Sequence, residues 1–509
     1  MRVLFVCAAL IAPTLALAQT PAGPLTLEQV LQLAEERSES LAIARAAVSR
    51  AEAEQIRARS GLFPQLSAML SYDRALASEF EGVFDNVTFG GAGAEAPEAP
   101  EGADGGGLED LPFGRRNTWR VTLSFSQNLF DFGRIAAGRD AAGAGRAAAD
   151  IGMTTARAQL LFDVTQAYYD AALADRMVAI AEATVAQAGA TLQQTEAGFR
   201  AGTQPEFEVL RARVARDTQN TSVIRARANR QIALLRLKQM LDLPATADLQ
   251  LADSLADERL LPAPTFATRL VAAGQPAVPA ADRAAVQEAA TTVTLREASM
   301  RAAKAERLPS ISANSSYGRV AYPSDFLPTF DRLNWSVGFA LQVPVLTGGR
   351  QRASELSAAA DLEQARARLQ QVRELAELDT QSALAELAAS QAAWDATAGT
   401  VQQANRAYEL ANIRYGAGVS TQLELSDARL LLQQAEANRA QAGRDLQVAR
   451  ARVALLPDLP LGAGAATGGG GTTGQPAAPA VPQQQAPAGG GQVTTAAARG
   501  GAASFGGTQ

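Results

Sequence analysis

Hydrophobic and polar residues alternate with a period of two in four short segments of the chain. In the clearest segment, Trp119 to Phe125, every second residue is large and apolar, and the residues between them are Arg, Thr and Ser. Successive side chains of a strand point to opposite faces, so this alternation predicts strands with one apolar and one polar face. The four predicted strands are residues 65–72, 119–126, 310–319 and 333–345.

Two other segments are helix-forming and free of proline over roughly 65 residues each, which corresponds to about 100 Å of helix. They cover residues 134–198 and 350–415. Shorter helices are predicted on either side of these segments, and the first of them begins after Thr26, a good N-cap residue. The shorter helices are residues 27–60, 206–241, 283–306 and 421–455. Because two shorter helices together match one long helix in length, we expect them to stack end to end beside it.

The two halves of the chain follow one plan at a constant spacing of about 216 residues, which is the signature of an internal repeat. The strand that begins at Trp119 recurs at Trp335, and an aromatic-x-x-Gly turn at Phe199 recurs at Tyr415. We therefore predict a first repeat (19–243) and a second repeat (283–456), each made of a helix, two strands and a long helix hairpin. A linker or equatorial segment (244–282) joins them.

The two ends of the chain differ from the repeats. Residues 1–18 have a short basic start, an apolar stretch and a small-x-small site, and we predict that they form a secretory signal peptide. Residues 457–509 are rich in Gly, Ala, Pro and Gln, so we expect a disordered tail. Residues 73–117 are rich in Gly, Pro and acidic residues and are expected to form a long exposed loop.

Composition excludes several classes of function. The chain has no histidine, and its single cysteine, Cys7, lies in the predicted signal peptide. We therefore expect neither an enzyme nor a metal or cofactor site. A net charge of −6 and a pI of about 5.2 argue against binding to nucleic acid. No apolar run after the signal is long enough for a transmembrane helix, so a membrane-spanning form would have to be a β-barrel.

Four strands are too few to close a barrel, since about eight is the practical minimum. The aromatic residues near the strand ends are typical of a membrane interface: Tyr72, Trp119, Tyr317 and Trp335. A membrane barrel would therefore need several copies of the chain. A long soluble coiled coil is the alternative, but it does not explain why an amphipathic strand leads into each long helix.

Taken together, these features resemble the TolC-type outer-membrane efflux family over about residues 25–456. The most specific segments are the two turns at 198–213 and 414–429, which are similar to the family's paired periplasmic helix-hairpin tips. The resemblance implies an α+β membrane protein that forms a homotrimer. Its 12-stranded β-barrel, with four strands per chain, would continue into a long periplasmic α-helical barrel.

The resemblance also assigns roles to residues at the tips. It implies that Glu424 and Asp427 line a periplasmic gate, although acidic residues in the first turns of a helix also interact well with the helix dipole. A closed-state latch would use Tyr415 and Glu208. The family has a basic residue just after the second turn, and this chain has Ser420 there. The residues expected to contact an adaptor are Gly202, Thr203, Gly418 and Val419.

The function implied by the resemblance is that of an outer-membrane channel-tunnel extending into the periplasm. It would export drugs and other small molecules, or proteins, within a tripartite efflux pump or a type I secretion system. Its partners would be outer-membrane lipid, a periplasmic adaptor (membrane fusion) protein and an inner-membrane RND or ABC transporter. A periplasmic coiled-coil structural or adaptor protein is the alternative function.

Overall fold

The structure is a computed structural model that describes residues 23–76, 117–252, 255, 280–322, 330 and 332–462. The predicted signal peptide, most of the predicted loop at 73–117 and the chain after residue 462 lie outside the described residues. The first half contains α1 (Leu27–Arg37), α2 (Glu39–Ser60), β1 (Gln65–Arg74), β2 (Asn117–Phe130), α3 (Arg134–Arg200) and α4 (Glu206–Met240). The second half contains α5 (Ala284–Ala305), β3 (Ser310–Ala321), β4 (Arg332–Gln342), α6 (Arg350–Gly416) and α7 (Gln422–Leu455).

The four predicted strands and the two long helices are confirmed. Each of α3 and α6 has 67 residues, and each begins after a glycine with positive φ, Gly133 (φ 87°) and Gly349 (φ 86°). Glycine adopts this conformation without steric cost, which allows the chain to turn sharply from a strand into a helix. No described helix combines the length and the apolar character that crossing a membrane requires.

The prediction of one helix over residues 27–60 is wrong, because the helix is interrupted at Ser38. This residue is extended (φ −62°, ψ 123°) and ends α1 while it precedes α2. Its hydroxyl lies 2.7 Å from that of Ser40, and serine side chains favour such local bonds over a helix interior. The two pieces also pack differently, since α1 buries four residues and α2 buries only Leu41.

The strands form one antiparallel sheet in the order β1-β2-β3-β4. The aromatic residues are paired across neighbouring strands, Tyr72 with Trp119 and Tyr317 with Trp335. Every residue of β4 is exposed in the single chain, so the apolar side chains of this strand have no cover within the chain. β1 and β4 are the two free edges of the sheet.

The helices form a layer in which α3 and α6 run the full length. Near the sheet, α2 and α5 pack against α3, and α5 also packs against α6. Farther from the sheet, α4 and α7 pack against α3, and α6 packs against α7, which gives the order α4-α3-α7-α6. The ion pair of Arg146 with Glu52 joins α3 to α2, and that of Arg227 with Glu182 joins α4 to α3 farther along. The expected end-to-end arrangement of shorter helices beside a long one is therefore present.

The main core lies at the middle of α3, where α1 and the end of α4 meet it. Val30, Val164, Tyr168 and Leu237 are each fully buried there. The hydroxyl of Tyr168 donates a hydrogen bond to the carbonyl of Leu25 at 3.2 Å. Burial of this apolar surface holds α1 and the end of α4 against α3.

A buried charged cluster joins the start of α5, the middle of α6 and the end of α7 in the second half. The Arg283 guanidinium is fully buried and donates to Asp379 Oδ2 at 2.8 Å, while Arg452 pairs with Asp379 Oδ1 at 3.1 Å. Arg283 also donates to the carbonyl of Leu459, which is itself buried. Residues 457–462, assigned to the tail from the sequence, are therefore packed against the helices, and the remainder of the predicted tail lies outside the described residues.

Candidate functional site

The two helix hairpins end in turns with the same geometry. Gly202 has φ +74° and Gly418 has φ +72°. In each turn the glycine N–H donates to the carbonyl three residues earlier and the next N–H donates to the carbonyl five residues earlier, with N···O distances of 2.9 to 3.0 Å. An added Cβ would have nothing within 4 Å at either glycine. The positive φ is therefore what requires glycine here, rather than a lack of space.

The four residues expected to contact an adaptor lie at the outer surface of these turns. Gly202, Thr203 and Gly418 are exposed, and Val419 exposes 70% of its surface. The Thr203 hydroxyl donates to the carbonyl of Gly198 at 3.0 Å, which fixes its side chain against the turn. The tips thus present backbone groups, the fixed Thr203 side chain and the apolar Val419 side chain to a partner.

Tyr415, one of the two residues expected in a closed-state latch, joins the second hairpin to the first. Its side chain is buried, and its hydroxyl lies 3.0 Å from Thr195 Oγ1 on α3. Because the Thr195 hydroxyl already donates to the carbonyl of Thr191 at 2.8 Å, the Tyr415 hydroxyl is the donor. Tyr415 and Glu208 are not hydrogen-bonded to each other among the described residues.

Glu208 makes a second contact between the hairpins, with Gln422 at the start of α7. Gln422 is only 3% exposed. In the amide orientation that satisfies both ends, its nitrogen donates to the side chain and backbone carbonyl of Glu208, and its oxygen accepts from Ala212 N. Ser420 does not take part, since its hydroxyl has no hydrogen-bond partner among the described residues. Thr195 and Gln422 were not identified from the sequence.

Glu424 and Asp427 lie on the first turns of α7, and both side chains are exposed. Thr421 caps this helix by accepting from the backbone N–H of Glu424 at 3.3 Å. The Glu424 carboxylate lies 3.8 Å from Arg414 Nε, on the last turn of α6. Asp427 has no ion pair or hydrogen bond among the described residues. The two acidic residues predicted for the gate therefore differ in their surroundings.

Behind them, Arg429 points into the contact between α6 and α7. Burial lowers the pKa of its guanidinium and raises the pKa of the neighbouring Tyr408 hydroxyl. Tyr408 packs on the small apolar cluster that holds Tyr415 against Leu425. The side chains behind the exposed acids are thus tightly packed, which fixes the positions from which Glu424 and Asp427 project.

Comparison with known proteins gives a family match over most of the chain. The family model described as "Outer membrane efflux protein" matches residues 30–242 and 280–471. A curated relative, the pyoverdine export outer membrane protein OpmQ of Pseudomonas putida, is 29% identical over 204 residues. That alignment covers 38% of this chain and 40% of the relative, so the chain spans less than half of the relative's length in the match.

Solved structures are similar over about 85% of the chain. The outer membrane protein VceC of Vibrio cholerae matches with a TM-score of 0.66 and 19% identity, covering 85% of this chain and 96% of that protein. The CmeC outer membrane channel of Campylobacter jejuni matches with a TM-score of 0.67 and 18% identity, covering 85% and 86%. The open state of the MtrE outer membrane channel of Neisseria gonorrhoeae matches with a TM-score of 0.64 and 22% identity, covering 85% and 89%.

Proposed function

The chain belongs to the outer membrane efflux protein family, and on that premise we propose that it is the outer-membrane component of a tripartite efflux pump or a type I secretion system. It is an outer-membrane efflux channel that extends into the periplasm. In the proposed assembly, three chains form a 12-stranded barrel continued by a helical tunnel. A periplasmic adaptor opens the tunnel at its tips, and an inner-membrane RND or ABC transporter supplies the energy.

The observation that carries the proposed assembly is that the sheet and the helix layer both end in free edges. β1 and β4 have one strand neighbour each, and α4 and α6 are the outer helices of the layer far from the sheet. The edge helix α4 exposes Phe207, Leu210 and Val214 at steps of three and four, which is the spacing of one helix face. Chains arranged side by side in a closed ring would cover these edges and this face at once.

The proposed gate follows from the position of the tips. The hydrogen bonds from Tyr415 to Thr195 and from Gln422 to Glu208 hold the two hairpin ends side by side, so in a ring six tips would lie at one level. Glu424 and Asp427 would then form acidic rings, which favour cations and repel anions. An adaptor that binds the exposed turns at Gly202 and Gly418 would open the tunnel by separating these hairpin ends.

We favour small molecules over proteins as the substrates that this channel exports. The relative from Pseudomonas putida is named for the export of pyoverdine. In the proposed assembly the inner-membrane transporter would select the substrate. Loss of export of a small organic compound, with protein secretion retained, is the expected phenotype of a strain that lacks this chain.

Purification and conductance measurement test the proposal directly. The mature chain should be recovered from the outer-membrane fraction as a trimer and should form channels in a planar lipid bilayer. Replacement of Glu424 and Asp427 by alanine should change the conductance, and an unchanged conductance would exclude these residues as the gate. Recovery of the chain as a soluble protein without detergent would instead favour a periplasmic coiled-coil structural or adaptor protein.

A further inference from the structure

The acidic side chains at the second tip differ in whether a basic side chain of the same chain lies beside them. Three acidic residues lie in this region, and two have a basic partner. Glu409 pairs with Arg406 at 3.0 Å, and Glu424 lies 3.8 Å from Arg414. Asp427 is exposed and has no cation within ion-pair distance among the described residues. Asp427 is therefore the one of these three acidic side chains that no ion pair offsets, and the Arg429 guanidinium two residues farther on is buried beside Tyr408 instead.

The backbone segments that carry Arg414 and Glu424 are held together by the turn. The backbone carbonyl of Arg414 accepts from Val419 N at 2.9 Å across the turn. The next residue, Tyr415, is anchored in the other hairpin through Thr195. On the opposite side of the turn, the Thr421 side chain caps the N–H of Glu424. The two side chains, each about half exposed, thus project from backbone segments that the turn holds together.

The first tip lacks this arrangement, although it follows the same plan. At a spacing of about 216 residues, Gly198 takes the place of Arg414 and has no side chain to offer. Glu208 takes the place of Glu424 and is turned toward Gln422. Arg211 takes the place of Asp427. The pairing of Arg414 with Glu424 is therefore a property of the second tip alone, the tip on which the proposed gate lies.

We propose that Arg414 sets the ion selectivity of the gate by offsetting the charge of Glu424, so that Asp427 is the one unpaired acidic side chain among the described residues of each second tip. This inference rests on the proposed function, because it requires the second tips to surround a conducting pathway. A trimer then has three unpaired acidic side chains at the gate instead of six. Arg414 acts as a determinant of specificity, since it changes the field through which ions pass without closing the pathway.

The test measures the reversal potential of the reconstituted full-length channel under a KCl gradient. Arg414→Gln should raise the permeability ratio of K⁺ over Cl⁻ by about twofold or more near 0.1 M salt, where the Debye length is about 10 Å. The increase should shrink near 1 M salt, where that length is about 3 Å. The double variant Arg414→Gln/Glu424→Gln should return the ratio to the wild-type value, and Arg414→Lys should keep it.

Arg366→Gln is the matched control, because it likewise removes an arginine of α6 from an exposed ion pair, here with Glu297, but at a position about 70 Å from Arg414 along the helix, and the ratio should stay at the wild-type value. An unchanged ratio in Arg414→Gln, together with a reduced ratio in Asp427→Asn, would overturn the role of Arg414 and leave the gate in place. An unchanged ratio in Asp427→Asn as well would overturn the gate itself. A wild-type chain that forms no channels would overturn the proposed function.

Discussion

The hydrogen bond from Tyr415 to Thr195 should contribute to keeping the tips closed. Both groups are buried, and a hydrogen bond of this kind stabilises a structure by about 1 kcal/mol net. Tyr415→Phe removes one such bond per chain, so the proposed trimer loses about 3 kcal/mol of closed-state stability if opening separates all three pairs. Because 1.4 kcal/mol is a factor of ten, the ratio of open to closed channels should rise roughly 100-fold.

Thr195→Val should have a larger effect than Tyr415→Phe. Valine has a similar shape to threonine but leaves the Tyr415 hydroxyl as a buried donor without an acceptor, which costs about 1–3 kcal/mol per chain. Replacing both residues removes donor and acceptor together. The double variant Tyr415→Phe/Thr195→Val should therefore open no more readily than Thr195→Val alone, and its effect should be smaller than the sum of the two single effects.

The assay is the open probability of single channels in a planar lipid bilayer. Tyr408→Phe is the control, because Tyr408 packs on the same apolar cluster and its hydroxyl has no hydrogen bond among the described residues. It should behave like the wild type. Equal open probabilities for Tyr415→Phe and Tyr408→Phe, or strictly additive effects of Tyr415→Phe and Thr195→Val, would show that this hydrogen bond does not hold the tips closed.

Three further predictions concern stability, measured as unfolding midpoints of the purified protein. Asp379→Asn should destabilise it by about 3–5 kcal/mol, because two buried guanidinium groups lose their shared carboxylate. Gly443→Ala should destabilise the protein by about 1–3 kcal/mol, since the new Cβ would lie 2.9 Å from the Trp394 ring. Gly152→Ala should instead stabilise it by up to about 1 kcal/mol, because a Cβ at this position of α3 would have no atom within 4 Å. Burial raises the pKa of Asp163 above its usual 3.8. The protonated carboxyl therefore favours the folded state at acidic pH, and this contribution to stability is lost as the pH rises through the folded-state pKa. Asp163→Asn should raise the unfolding midpoint at pH 7 and leave it unchanged near pH 3.5.

The strands and long helices could be predicted because local sequence decides them. Alternation with a period of two allows only a strand with two different faces, and an uninterrupted proline-free segment allows a helix of any length. The interruption at Ser38 could not be predicted, because helix-forming residues continue on both sides of it. What separates α1 from α2 is that α1 enters the core around Tyr168 and α2 does not, which only tertiary packing decides.

At the tips, the sequence located the turns but not the partners. Gly202 and Gly418 were identifiable because a tight turn between helices needs positive φ. The partner of Tyr415 could not be derived, since Thr195 is 220 residues away and the contact depends on how the hairpins lie side by side. Gln422 looks like an ordinary polar residue in a first helical turn, and only its burial against α4 shows that it joins the hairpins.

The position of the core on the long helices has a mechanical consequence. Each long helix is continuous, and α3 is fixed near its middle by the core around Tyr168, about 30 residues before its tip. At 1.5 Å per residue, the part of α3 between this core and its tip is about 45–50 Å long. If α3 tilted by about 10° about this core, its tip would move by about 8 Å. That displacement is well beyond the length of a hydrogen bond. A small rotation far from the tips would therefore part the hairpin ends while every helix stays straight.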